Sequence, residues 1–387
     1  MDEKNIQNLN PAGLYIHIPY CKRKCSYCCF HFSTNLSTRK ELVQALLKEI
    51  KTRSVELAKF QINTLYLGGG TPSLFEEDEL DSIFSAIKSH YHLNSAAEIS
   101  IETNPDDITP DYTNQLLNLG INRISIGVQS FFDEDLKWMN RAHTAKQSTM
   151  AIEIVKRAGF ENISIDLMYG LPGLTQKRWQ DNLLKLQKFE IPHFSAYSLT
   201  LEERTSLHHL VQNKKILIPE DDETICQMGH LLDFCEVNNY EAYEISNFCK
   251  NGFRSKHNSS YWEGIPYLGF GPSAHSYIDS KRSWNVSNNN EYIKALETDA
   301  PYSSFEKLST TEHYNEYIML QLRRIDGLDL NYIAIHFPDF LSTVESALQK
   351  QIALKNIHQV NARYCLTRQG KTLADFVSSE LFILNKT

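Results

Sequence analysis

Four of the eight cysteines fall within nine residues: Cys21, Cys25, Cys28 and Cys29, in the stretch LYIHIPYCKRKCSYCCFHF (residues 14–32). Deprotonated thiols are nucleophiles and soft metal ligands, so such crowding points to metal binding or redox chemistry rather than packing. Two metal chemistries compete. A zinc site wants four convergent ligands, commonly as two separated pairs, but Cys226, Cys235, Cys249 and Cys365 are scattered and unpaired. These four read instead as small buried residues. Adjacent Cys28 and Cys29 would also have difficulty facing one ion. The alternative is an iron–sulfur cluster on the C-x3-C-x2-C set Cys21, Cys25 and Cys28, with Cys29 a non-ligand. Four-iron clusters take four ligands, so three thiolates leave one iron open to a small molecule.

The elements that must position these thiols alternate. Short β-branched runs occur at LYIHIP (14–19), NTLYLGG (63–69), EISIET (98–103), RISIGVQ (123–129), NISIDLMYG (162–170) and HFSAYSLT (193–200). Between them, segments such as RKELVQALLKEIK and STMAIEIVKRAG place apolar residues three and four apart, as helices do. Six strand–helix units imply an α/β fold with a parallel sheet and right-handed crossovers. Six units are too few to close an eight-stranded barrel, so an open partial (β/α)6 TIM-like barrel is expected over residues 1–240; a doubly wound sheet is the rival. Chemistry-bearing residues gather where the strands end: the cysteines after the first, GGGTP after the second, then Glu102, Gln129, Asp166 and Tyr197. That is the rim where such barrels keep their active sites.

Past residue 240 the pattern changes. An aromatic, Gly- and Ser-rich extension with short strand-like pieces and a linker occupies 241–308. A small helical, winged-helix-like domain with a hairpin near HQVNARYCLTRQG occupies 309–387. It lacks a Lys/Arg cluster fit for phosphates, so packing against the barrel is preferred to nucleic-acid binding. The net charge of −8 points the same way. The polar, acidic start MDEKNIQNLNPAG has no signal-peptide profile, and no apolar run is long enough for a bilayer, so a cytoplasmic protein is expected.

The cysteine spacing, with Tyr27 before the third thiol and a loop after the first strand, resembles the radical S-adenosylmethionine (radical SAM) superfamily. The resemblance implies a 4Fe–4S cluster on Cys21, Cys25 and Cys28 whose open iron chelates S-adenosylmethionine. It further implies contacts to that cofactor from Tyr15, Tyr27, Gly69, Gly70, Thr71, Glu102, Gln129, Arg141 and Asp166. Read from the residues alone, GGGTP is also a tight strand–helix turn capped by Thr71 ahead of Pro72.

LYIHIPYC, LYLGGGTPS, EISIETNP, NRISIGVQSF, IDLMYGLPG and YEISNF together resemble the anaerobic coproporphyrinogen III oxidase group and its heme-chaperone relatives. The oxidase pattern has a further cysteine two places after the third, where this chain has Phe30, and a longer segment ahead of the cysteines. The chaperone pattern includes HNxxYW, present as His257-Asn258-Ser259-Ser260-Tyr261-Trp262. The resemblance therefore implies a heme chaperone, with His257 contacting heme as cargo, respiratory hemoproteins as acceptors, a homodimer and peripheral membrane contact. The alternative it leaves is oxygen-independent coproporphyrinogen III dehydrogenation, and whether the chain is an enzyme stays open.

Overall fold

The computed structural model describes residues 9–384 except Arg204. The first eight residues of the acidic start therefore lie outside it. Six parallel strands follow in chain order: β1 (Asn10–Ile18), β2 (Phe60–Gly69), β3 (Leu93–Thr103), β4 (Arg123–Gln129), β5 (Asn162–Tyr169) and β6 (His193–Ser198). The helices between them are α1 (Arg39–Thr52), α2 (Glu77–His90), α3 (Pro110–Leu119), α4 (Asp133–Trp138), α5 (Ala145–Arg157) and α6 (Gln176–Lys188). Each strand neighbours the next, with no reversal of order. A doubly wound sheet would show a switch point, so the partial barrel stands.

Strand alternation sorts the residues into two faces. Leu14, Ile16 and Ile18, Leu65 and Leu67, Ile99 and Ile101, Ile124 and Ile126, and Ile163 and Ile165 are all buried in one apolar cluster with the helices. The intervening positions are polar: Tyr15 and His17, Thr64 and Tyr66, Glu98 and Glu102, Ser125, Asp166, His193 and Ser195. The registers Tyr15↔Tyr66, Tyr66↔Ser100, Glu102↔Ser125 and Asp166↔Ser195 bring these onto the hollow face.

Helices α7 (Ser206–Gln212) and α8 (Asp221–Val237) lead into the region expected as extension and linker, which instead completes the sheet at both edges. Strand β8 (Asn247–Cys249) adds antiparallel to β6, and β7 (Glu241–Ala242) pairs antiparallel with β8 at the outer edge. KHNSSYW forms helix α9 (Lys256–Trp262) rather than a strand-like piece, because Ser255 caps it by accepting from the Asn258 N–H. Strand β9 (Tyr267–Phe270) pairs parallel with β1, and β10 (His275–Ile278), β11 (Lys281–Asn285) and β12 (Ser303–Lys307) continue outward. The linker stretch holds helix α10 (Asn289–Glu297), which buries Tyr292, Ile293 and Leu296.

Glu49 of α1 fastens this extension. Its buried carboxylate accepts from the Gly271 N–H (2.8 Å), Asn285 Nδ2 (2.8 Å) and Tyr292 Oη (2.6 Å), with Arg53 Nη1 at 3.3 Å. Beyond it, α11 (Thr310–Leu322) opens a second unit with its own core, including Tyr314, Ile318, Val344 and Leu348. Strands β13 (Leu328–Asp329), β14 (Ile357–Val360) and β15 (Arg363–Leu366) form its small sheet, and β14–β15 is the expected hairpin. Among the described residues no helix is long and apolar enough to cross a membrane. Removing the Glu49 carboxylate strands buried donors and a half-paired Arg53, so Glu49→Ala should lower unfolding free energy by about 3 kcal/mol in urea titrations.

Candidate functional site

The loop after β1 carries three half-buried thiols, Cys21, Cys25 and Cys28, while Cys29 is exposed. Backbone bonds fix its ends: Cys21 N–H donates to Ser33 O (3.0 Å) and Ser33 N–H to Pro19 O (2.8 Å). Burial pushes the Cys21 and Cys28 thiols up to about 11, and the Thr71 hydroxyl partly opposes this at Cys21. Arg141 Nη1 lies 3.3 Å from Cys25 Sγ, and its Nη2 donates to Asn104 Oδ1 (2.6 Å) and Gly127 O (2.9 Å). Its Nε is buried without a partner among the described residues. A guanidinium against one thiol, with a spare donor, suits bound anionic sulfur and a carboxylate-bearing ligand. Among the described residues no three His, Cys, Asp or Glu side chains are grouped to hold one metal ion. The donor set, three thiols without a fourth ligand, fits an iron–sulfur cluster with an open corner.

The glycine run is demanded by the protein before any ligand. Gly69 has φ +105°, and a Cβ on it would lie 2.6 Å from the His17 ring. One on Gly70 would lie 2.5 Å from Tyr20 O, backbone that cannot step aside. Thr71 precedes a short 3-10 turn, but its hydroxyl makes no capping bond and accepts instead from Asn104 Nδ2 (3.0 Å). The expected Thr71 cap is therefore replaced by a strand-to-strand tie.

Glu102 accepts from Tyr66 Oη (2.8 Å) and the Gly69 N–H (3.1 Å). Burial nevertheless pushes its carboxyl up to about 7, and Asp166 adds to that. Asp166, with Ser125 Oγ 3.3 Å from both carboxylate oxygens, is pushed up to about 6, again by burial. Two acids held near neutrality in a lumen are poised to take a cationic group. Gln129 sits where the β4–β5 register shifts, at φ +65°, a conformation glutamine seldom adopts. That bulge turns its side chain toward Arg141, since both approach the Gly127 position to 3.1 Å.

The expected residues thus form two groups. Tyr15, Gly69 and Glu102 line a chamber of about 410 Å³ with Cys29, His17, His31 and His275. Arg141 lies beside Cys25 with Gln129 next to the guanidinium, and Tyr27 is half-buried next to that thiol. Asp166 lies deeper in the hollow. His17, Tyr66 and Asn104 went unrecognised; their inward position in LYIHI and LYL, and at the strand exit ETN, was the available signal.

His257 lies inside the barrel, 1% exposed. Glu98 receives the Lys256 and His257 N–H groups at 3.0 Å each, anchoring α9 by its N-terminus. The His257 ring pairs Nδ1 with Thr64 Oγ1 and Nε2 with Tyr261 Oη, each at 2.8 Å, and stacks on Tyr66 at 5.0 Å. Burial lowers its pKa to about 3. An iron bond to either nitrogen would first require one of these contacts to break.

Residues 15–186 match the Radical SAM superfamily. The heme chaperone HemW of Bacillus subtilis (strain 168) is 33% identical over 94% of this chain and 97% of its own length. HemW of Lactococcus lactis subsp. lactis (strain IL1403) is 34% identical over 97% of this chain and 98% of its own. In structure, the coproporphyrinogen III oxidase HemN of Escherichia coli superposes with a TM-score of 0.83 at 21% identity, over 98% of this chain and 92% of that one. That likeness establishes the fold.

Glu102 yields a pH prediction. Its folded pKa of about 7 exceeds the ordinary 4.5, so its proton contributes stability below 4.5 that is lost as pH rises through 7. A ligand ammonium pairs with the ionised form. Affinity for an ammonium-bearing ligand in this chamber, S-adenosylmethionine being the one to test, should therefore rise as pH is raised through about 7. Glu102→Gln should flatten that rise and weaken binding roughly tenfold, by calorimetry.

Proposed function

Because the chain belongs to the HemW family within the radical SAM superfamily, we propose that it is a heme chaperone. On this reading it binds heme and delivers it to respiratory hemoproteins, on a scaffold holding a 4Fe–4S cluster and S-adenosylmethionine. Cys21, Cys25 and Cys28 hold the cluster. Arg141 and Gln129 orient the carboxylate end of S-adenosylmethionine, and Glu102, with Asp166 behind it, takes the ammonium. Tyr15, Tyr27, Gly69, Gly70 and Thr71 shape the walls. When bound, cluster and sulfonium together supply one-electron chemistry. The chain's own part is to keep the thiols half-buried, exclude water and hold fixed charges about the ligand.

The observation that carries the chaperone reading is likeness to HemW proteins over nearly the whole chain, with HNxxYW intact and Phe30 where the oxidase pattern has cysteine. Phe30 is 68% exposed and Cys29 beside it is exposed, so neither is packed away as structural core. Anaerobic reconstitution with iron and sulfide, then heme titration, tests the reading. A stable Soret band is expected. A parallel incubation with S-adenosylmethionine, reductant and coproporphyrinogen should leave the porphyrinogen unconverted. Multiple turnovers to protoporphyrinogen would instead establish the dehydrogenase.

A further inference from the structure

A cleft of about 860 Å³ lies between the barrel's extended edge and the C-terminal unit. One wall is the end of α9 and the strands beyond it, with Tyr261, Trp262, Tyr267 and Tyr277. The other is one face of α11: His313, Glu316, Tyr317, Leu320 and Gln321 recur three and four residues apart and all line the cleft. The opposite face of that helix, Tyr314, Ile318 and Leu322, is sunk in the C-terminal core. Tyr332 stacks on Tyr317 within the second wall at 4.3 Å and 19°, and Gln321 Nε2 donates to Trp262 O at 2.8 Å, tying that wall to the first.

Volume and lining suit a flat, largely apolar ligand with acidic edges, since ligand sites run to roughly 300–1,000 Å³. Aromatic residues stand on both sides, and Arg282, Arg324 and Arg363 line the cleft together with Glu263, Glu316, Asp326 and Asp329. These arginines are now paired with Glu316, Asp326 and Asp329. Partly exposed pairs contribute little, so carboxylates of a ligand can exchange into them. His313 alone among the lining residues carries imidazole. Among the described residues neither of its ring nitrogens has a hydrogen-bond partner, while its ring meets Phe337 edge-on at 5.6 Å. His257 is the reverse, with both nitrogens engaged. It holds Tyr261, and Tyr261 and Tyr267 line both this cleft and the chamber beside the cysteine loop.

We propose that this cleft is the tetrapyrrole site, with His313 providing the axial bond to iron and His257 acting as a positioning residue through Tyr261. The proposal rests on the heme-chaperone reading. The two-tyrosine partition then sets heme beside, and separate from, the cofactor chamber.

The test is ferric heme titration of the full chain, followed by Soret and magnetic circular dichroism spectra. Wild type should show imidazole ligation. His313→Ala should lose that signature and bind at least about tenfold more weakly, as expected for a lost ligand. Leu320→Trp, which fills the cleft from a half-buried position, should also block binding while leaving circular dichroism of the fold unchanged. His257→Ala should weaken binding yet keep the imidazole spectrum. If wild type binds heme and both His313→Ala and Leu320→Trp match it, the cleft placement is overturned and the chaperone reading survives. If wild type binds no heme, both fall together.

Discussion

A curled parallel sheet whose hollow is polar must pair most of the groups it encloses, because an unpaired buried donor or acceptor costs about 1–3 kcal/mol; Ser100 Oγ and Arg141 Nε are exceptions. Barrels of this kind are more often filled with branched aliphatic side chains. Here the same positions hold histidine, tyrosine, glutamate, aspartate and serine, tied as Tyr66 to Glu102, Ser164 to His193 and Ser195 to Asn247. This network holds the carboxyls of Glu102 and Asp166 through neutral donors, Tyr66, the Gly69 N–H and Ser125, with Arg123 and Arg141 acting on Asp166 only through their charge. It also accepts α9 into the hollow, where Glu98 receives the helix's first N–H groups and Thr64 meets His257.

The cysteine loop depends on that interior through a few contacts. Gly70 closes against the backbone of Ile18 and Tyr20, immediately ahead of Cys21, and Arg141 reaches from the loop after α4 to Cys25 while held by Asn104 and Gly127. Strands β1 to β4 therefore meet at the thiols. Displacing any one of them would move the three thiols, which accounts for the concentration of glycine, bulge and left-handed backbone at this rim.

The six strands were legible because their alternation is strong and turn residues separate them; RISIGVQ matches β4 end to end. Both edges of the sheet were not. The pairing of β9 with β1 joins residues more than 250 positions apart, and no local periodicity encodes it. KHNSSYW lies in the stretch expected to hold short strand-like pieces, its serines and aromatics carrying no clear helical signal, and a cap at Ser255 with a carboxylate from β3 makes it a helix. At the site, Cys21, Cys25, Cys28 and the end-of-strand acids were visible from residue type and position. The engagement of both His257 nitrogens was not, since Thr64 and Tyr261 reach it only through the fold. The cleft facing α11 was equally hidden: TTEHYNEYIMLQL carries apolar and polar residues on several faces, and which face meets which unit is a tertiary fact.

Mössbauer spectroscopy of anaerobically reconstituted iron-57 protein, with and without S-adenosylmethionine, addresses the central claim most directly. The account predicts a four-iron cluster in which one iron is distinct and changes its signature when the ligand is added, and its loss in Cys25→Ala. Zinc bound at the thiols in place of iron, or four iron sites that ignore the ligand, would contradict it.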